Sequence, residues 1–104
     1  MESIDPLTES RALFAISVAA DLVGTGVQNL RAYERRGLVE PQRTPGGTRL
    51  YAPADIDRLR RITELLGAGH NLAGVESVLA LERENALLRA EIRQLREQAG
   101  DAPV

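Results

Sequence analysis

The chain has 104 residues and a net charge of −2, which is enough length for one small domain with a modest hydrophobic core. It contains no cysteine, which excludes thiolate metal sites, iron–sulfur clusters and disulfides. No apolar run approaches the roughly 20 residues of a membrane-spanning helix, and no charged-then-apolar leader opens the chain, so we expect a cytoplasmic protein that binds no membrane.

The chain begins with a polar, acidic and aperiodic stretch, and we expect residues 1–13 to form a flexible tail. A short first helix follows, with Ser17 where its N-cap belongs and Gly24 at its end. The second helix has a candidate capping box, in which Thr25 caps the helix and Gln28 folds back on the backbone.

Basic and hydroxyl-bearing side chains crowd the second helix, namely Arg31, Tyr33, Arg35 and Arg36. Residues 27–61 carry eight arginines against four acidic residues, whereas the segments on both sides are acidic on balance. Such a concentration of positive charge is typical of a nucleic-acid-binding surface. Arg35 and Arg36 have a second interpretation, which is an ion pair with Glu34 or Glu40.

A glycine-tipped hairpin is predicted after the second helix. Gly37 ends that helix, and an extended stretch leads to Gly46 and Gly47, where a hairpin tip needs positive φ. Arg43 and Arg49 flank the tip, so two guanidinium groups suited to bidentate phosphate contact lie beside the helix. A helix followed by a basic wing predicts a DNA-docking unit.

The third helix is expected to start near Pro53 and to break at residues 67–69. Its buried stripe is predicted from the apolar spacing as Ile56, Leu59, Ile62 or Thr63, and Leu66. The chain has one histidine, His70. One histidine without cysteine is poor evidence for a metal site, so we predict neither a metal nor a cofactor.

A last helix is predicted to start at Leu72 after a cap at Asn71, and its apolar residues are spaced alternately by three and four. This is the a/d pattern of a coiled coil, formed by Val78, Leu81, Asn85, Leu88, Ile92 and Leu95. The stripe predicts a homodimer, and packing within one chain is the alternative. A single asparagine at an a position, here Asn85, is typical of parallel zippers.

These features together resemble the MerR transcription regulators, whose pattern combines an arginine and an aromatic residue, Tyr-Glu-Arg-x-Gly-Leu, a proline, a wing and Arg-x-Tyr. The matching residues are Arg31, Tyr33, Glu34, Arg35, Gly37, Leu38, Pro41, Arg43, Gly47, Arg49 and Tyr51. The resemblance covers roughly residues 14 to 80. The segments ISVAADL, GLVEPQRTPGG and NLAGVE look most like the heat-shock repressor branch.

The resemblance implies a mainly α fold: a winged helix-turn-helix head with a small β-hairpin wing, and a C-terminal dimerisation coiled-coil helix. The implied domains are the DNA-binding domain 14–80, the coiled-coil helix 81–99 and a flexible tail 100–104. The family register favours Gly26 over Thr25 as the cap of the second helix. Dimers of this family pair their helices antiparallel, in conflict with what the asparagine of the stripe indicates.

The resemblance also implies which residues contact DNA, namely Ser17, Gln28, Asn29, Arg31, Tyr33, Arg35, Arg36, Arg43, Thr44, Arg49 and Tyr51. Gln28 and Asn29 face the major groove in the family register, where both residue types can bind adenine through two hydrogen bonds. Two roles stay open, because Ser17 can be a plain N-cap and Tyr51 can simply close the wing against the core.

We therefore predict a sequence-specific regulator, not an enzyme, that binds an inverted-repeat operator in double-stranded DNA as a homodimer. The resemblance implies repression of stress or chaperone genes, with a DnaK-type chaperone as a candidate partner, and leaves activation by promoter distortion open. Two alternatives belong to other classes. One is an architectural DNA-binding protein without effector regulation, and the other is a protein-interaction module whose coiled coil is the functional surface.

Overall fold

The computed structural model describes residues 12–100, and that range is mainly helical with one small antiparallel sheet. The elements in chain order are β1 (Phe14–Ala15), α1 (Ile16–Val23), α2 (Val27–Arg35), β2 (Gln42–Arg43), β3 (Arg49–Tyr51), α3 (Pro53–Gly67) and α4 (Leu72–Gln98). The expected mainly α fold with a small wing is confirmed. Most of the two predicted tails, residues 1–11 and 101–104, lies outside the described residues.

The sheet contains one strand more than the predicted hairpin. Strands β2 and β3 form the wing, and β1 pairs with the other edge of β3, so that Phe14 lies opposite Tyr51. A strand of two residues is too short to show the alternation of apolar and polar side chains that identifies strands in a sequence. Strand β1 is important for the site because it connects the wing, through its pairing with β3, to the start of α1.

Helix α1 begins two residues earlier than predicted, because its N-cap is residue 15 instead of residue 17. Ala15 is the last residue of β1, has extended backbone angles and makes no side-chain capping bond, because a methyl group has no hydrogen-bond acceptor. The prediction that Ser17 is the N-cap is therefore wrong, and Ser17 is an exposed residue of the first turn. The predicted end is confirmed: Gly24 has φ +82° and its N–H donates to the carbonyl of Ala20 at 2.8 Å.

Helix α2 starts in the register that the family resemblance favoured. Gly26 is the N-cap without a side-chain capping bond, so the capping box of Thr25 and Gln28 does not form. Thr25 instead accepts a hydrogen bond from the Asn29 amide at 2.7 Å. Gly37 ends the helix region as predicted, with φ +76°, a conformation that favours glycine.

Helix α3 buries Ile56, Leu59, Ile62 and Leu65. The structure resolves the open position in favour of Ile62, which is fully buried, whereas Thr63 is half-buried and its hydroxyl donates to the carbonyl of Leu59 at 3.0 Å. The prediction of Leu66 is wrong, since Leu65 is buried and Leu66 is only half-buried.

The chain divides into two compact units between Gly69 and His70. The core of the first unit includes Leu30, Tyr33, Leu38, Val39 and Tyr51, which carry α2 and the wing, together with the buried stripe of α3. The second unit contains α4, which Asn71 caps by accepting the Gly74 N–H at 2.8 Å, as predicted. The predicted domain boundary between residues 80 and 81 falls inside this helix and remains a prediction.

No helix within residues 12–100 combines the length and the apolarity that crossing a membrane requires.

Candidate nucleic-acid interface

One face of α2 presents polar and basic side chains to solvent. Gln28, Arg31 and Arg35 are exposed and follow spacings of three and four residues, which place them on the same side of the helix. Within residues 12–100, neither Arg31 nor Arg35 takes part in an ion pair. Two guanidinium groups on the face that carries Gln28, with no ion-pair partner in the part of the chain that the structure describes, are available to an external anion.

The wing arginines, in contrast, are bound to an acidic residue of α2. Arg43 donates through Nη2 to Oε2 of Glu34 at 2.7 Å, and Arg49 donates through Nε to Oε1 at 2.5 Å. Each carboxylate oxygen of Glu34 therefore accepts a hydrogen bond from one arginine. The hydrogen bond from Arg49, with a further one from Arg43, lowers the pKa of Glu34, and the same pairing raises the pKa of Arg49.

The observed partners of Glu34 lie further along the chain than the predicted ones. The sequence offers Arg35 and Arg36 as ion-pair partners of Glu34 or Glu40. Within residues 12–100 Arg35 takes part in no ion pair, and a pair between Arg36 and either acid stays a prediction. The two arginines that reach Glu34 come from the wing, 9 and 15 positions further along the chain. A sequence shows only that an acidic residue lies within a basic segment, so it does not predict that Glu34 binds both wing arginines.

The wing tip is held by its own hydrogen bonds. Thr44 accepts the Thr48 N–H on its side-chain oxygen at 3.1 Å, and the Gly47 N–H donates to the carbonyl of Thr44 at 2.8 Å. Arg43 adds a bond from Nη1 to the carbonyl of Gly47 at 3.0 Å. The tip therefore has a defined shape, and DNA contact by Thr44 at its edge, like that by Ser17 in α1, stays a prediction.

The two tyrosines of the predicted set are buried. Tyr51 has no exposed surface and Tyr33 is 4% exposed. Burial raises the pKa of Tyr33, and a hydrogen bond with Thr25 opposes that shift; burial likewise raises the pKa of Tyr51. Of the two roles considered for Tyr51, closure of the wing against the core agrees with the complete burial of its side chain. DNA contact by Tyr51 stays a prediction, and this burial weighs against it.

We expect Tyr51→Phe to retain DNA binding and to leave the fold as stable or up to about 1 kcal/mol more stable. The hydroxyl is buried and has no hydrogen-bond partner within the described chain, so its removal deletes a desolvated polar group and no contact surface. Thermal unfolding and duplex-binding titrations of both proteins measure the two effects. Strongly weakened binding at unchanged stability would restore Tyr51 to the set of DNA-contacting residues.

The predicted dimerisation stripe lies along α4. Leu81, Leu88, Ile92 and Leu95 are 64%, 51%, 48% and 57% exposed, and Val78 is half-buried. Asn85, in the middle of the stripe, accepts a hydrogen bond from Nε of Arg89 at 2.8 Å. A row of large apolar side chains this exposed on one helix face is typical of a surface that another molecule covers.

Within residues 12–100 the structure contains no group of three or more side chains suited to holding a metal ion.

The family model described as the MerR HTH family regulatory protein matches residues 14–82, which span α1, α2, the wing and α3 and continue into α4. The chain belongs to the MerR family. Two similar relatives are an HspR-type heat shock protein of Streptomyces coelicolor, 44% identical over 86% of this chain, and the transcriptional regulator GlnR of Bacillus cereus, 38% identical over 82% of it. The MerR-family chain spans 60% and 65% of the lengths of these two relatives.

Solved structures of MerR-family proteins share the fold. The crystal structure of HiNmlR, a MerR family regulator lacking the sensor domain and bound to promoter DNA, superimposes with a TM-score of 0.60. It is 18% identical in sequence, and the match covers 86% of this chain and 80% of that one. At this identity the likeness concerns the fold.

Proposed function

We propose that this MerR-family protein is a DNA-binding transcription regulator, not an enzyme, that acts in the bacterial cytoplasm as a homodimer on an inverted-repeat operator. The observation that carries the proposal is the exposed face of α2, with Gln28, Arg31 and Arg35 in one row and a basic wing bonded to the same helix through Glu34. A helix of this kind enters the major groove, where its side chains contact base edges, while basic groups beside it bind the backbone.

The dimer is proposed to form through the stripe of α4. An antiparallel pair has one register in which every member meets a partner: Asn85 lies opposite Leu88 of the second copy, Leu81 opposite Ile92, and Val78 opposite Leu95. This agrees with the antiparallel arrangement that the family resemblance implies. A parallel pair would instead place Asn85 against its own copy and bring Glu84 near Arg89 of the other helix.

Single introduced cysteines distinguish the two orientations, because the chain has none of its own. In the antiparallel register, residue 95 of one helix lies about 25 Å from residue 95 of the other. We therefore expect Leu95→Cys alone to form no disulfide-linked dimer on mild oxidation, and a mixture of Val78→Cys and Leu95→Cys to form one. Efficient self-linking of Leu95→Cys, measured by non-reducing electrophoresis, would establish the parallel pair instead.

Repression of stress or chaperone genes is the proposed biological role. It is supported by the likeness to an HspR-type heat shock protein and by the segments that look like the heat-shock repressor branch. GlnR shows that the likeness extends to other regulators. A DnaK-type chaperone is the candidate partner, and a pull-down of this chaperone with the protein bound to DNA examines that step separately.

The experiment that tests the function is recovery of genomic DNA fragments by the purified full chain, followed by sequencing. We expect a single inverted repeat, with its half-sites one helical turn or a multiple of it apart, upstream of chaperone genes. A repeat upstream of unrelated genes would keep the regulator and reject the stress role. Recovery of DNA without any common motif would favour an architectural protein.

A further inference from the structure

The wing carries an unfavourable pair of charges. Arg43 on β2 and Arg49 on β3 are directly opposite each other in the hairpin register. Like charges at directly opposite positions destabilise a strand pair, and strands of two and three residues have little other pairing to offset this repulsion. The hairpin therefore needs a compensating negative charge at this position.

Glu34 supplies that charge from a different element. It lies in the last turn of α2, and its side chain is 19% exposed. One of its carboxylate oxygens binds Arg43 and the other binds Arg49. The carboxylate thereby joins both strands of the wing to the helix that carries Gln28 and Arg31. Through Arg43, which also donates to the Gly47 carbonyl, the connection continues to the wing tip.

The same connection orients Arg49 for a second contact. Arg49 binds Glu34 through Nε, and within residues 12–100 its two Nη groups make no hydrogen bond. A guanidinium group can hold a carboxylate on one edge while its remaining N–H groups face another anion. Arg49 is therefore positioned by Glu34 rather than neutralised by it.

We propose that Glu34 is a positioning residue for DNA binding: it holds the wing in a fixed place relative to α2 and so determines how sharply the protein distinguishes its operator from other DNA. This rests on the proposed function as a DNA-binding regulator. Glu34 touches no DNA in this scheme, and its effect is transmitted through Arg43 and Arg49.

Removal of the Glu34 carboxylate should change the affinity for the operator in the direction opposite to the one that net charge predicts. Removing a carboxylate from a basic DNA-binding surface makes it more positive, which strengthens binding to any duplex. Removing Glu34 also releases the two arginines, so that the wing no longer has one position relative to the recognition helix. Operator binding should therefore weaken although the surface becomes more positive.

The test compares Glu34→Gln with Glu40→Gln in the full chain at one salt concentration. Glu40 is an exposed carboxylate in the segment between α2 and β2, so its replacement makes the same charge change. We expect Glu34→Gln to lower the ratio of operator affinity to random-duplex affinity about 10-fold, and Glu40→Gln to leave it within about 2-fold. Equal behaviour of both variants would overturn the proposal.

A double-mutant cycle separates positioning from a general loss of structure. In a background carrying both Arg43→Gln and Arg49→Gln, adding Glu34→Gln should change the ratio less than 2-fold, because the groups through which Glu34 acts are gone. An undiminished effect in that background would overturn the proposal. If the unsubstituted protein itself showed no preference for any duplex, the proposed function would fail instead of the role of Glu34.

Discussion

Leu88→Asp should convert the protein into a monomer and weaken operator binding about 100-fold or more. Leu88 is 51% exposed in the single chain and occupies the centre of the α4 stripe. In a dimer its side chain becomes buried, and an aspartate there would be an unpaired charge in an apolar interface. Two linked DNA-binding heads bind two half-sites far more tightly than one head binds one half-site. Loss of the dimer therefore lowers the affinity for the operator.

The neighbouring residue provides the matched control. Leu87 is 66% exposed but lies outside the stripe, so Leu87→Asp introduces the same charge one position away from the proposed interface. We expect it to remain a dimer and to bind the operator like the unsubstituted protein. Analytical ultracentrifugation and operator titration of both variants measure the difference. A dimeric Leu88→Asp, or a monomeric Leu87→Asp, contradicts the proposed stripe.

Arg31→Ala should weaken operator binding by about 1–3 kcal/mol for each head and leave the dimer intact. Arg31 is exposed on α2, and no ion pair within the described residues occupies it. If it binds a phosphate, affinity for random duplex falls as well, and the salt dependence of a two-headed complex decreases by about 2 in slope. If it binds a base, the loss is confined to the operator.

Arg83→Ala is the matched control for Arg31→Ala. It removes the same charge from an exposed position of α4 that is not part of the dimerisation stripe. We expect its operator affinity to stay within about 2-fold of that of the unsubstituted protein. Equal losses in the two variants would indicate that only net charge matters, and an unaffected Arg31→Ala would move the docking face away from α2.

The sequence predicts this fold well where a local signal is sufficient. Gly24 and Gly37 end their helices because the positive φ at those positions favours glycine, and the spacing of Ile56, Leu59 and Ile62 identifies the inner face of α3. The cap at Asn71 follows the same logic, since its side chain binds a backbone N–H three residues later.

The unpredicted features of the sheet and the wing depend on contacts between distant segments. Strand β1 pairs with β3, which lies far along the chain, and α1 begins directly after β1, which is earlier than the sequence indicates. The partners of Glu34 could not be deduced either, because the hairpin register that brings Arg43 and Arg49 together is not visible in residue spacing. Within the candidate site, the exposed row on α2 was predictable and the internal pairing of the wing was not.

Dimeric, sequence-specific binding is tested by the affinity of the full chain for its best recovered inverted repeat, compared with a scrambled duplex of the same composition over a series of salt concentrations. We predict at least about 1,000-fold tighter binding to the repeat at physiological salt, with two protein chains per duplex. We also predict that both affinities fall steeply as salt rises. Equal affinity for the two duplexes, or one chain per duplex at saturation, would contradict a dimeric sequence-specific regulator.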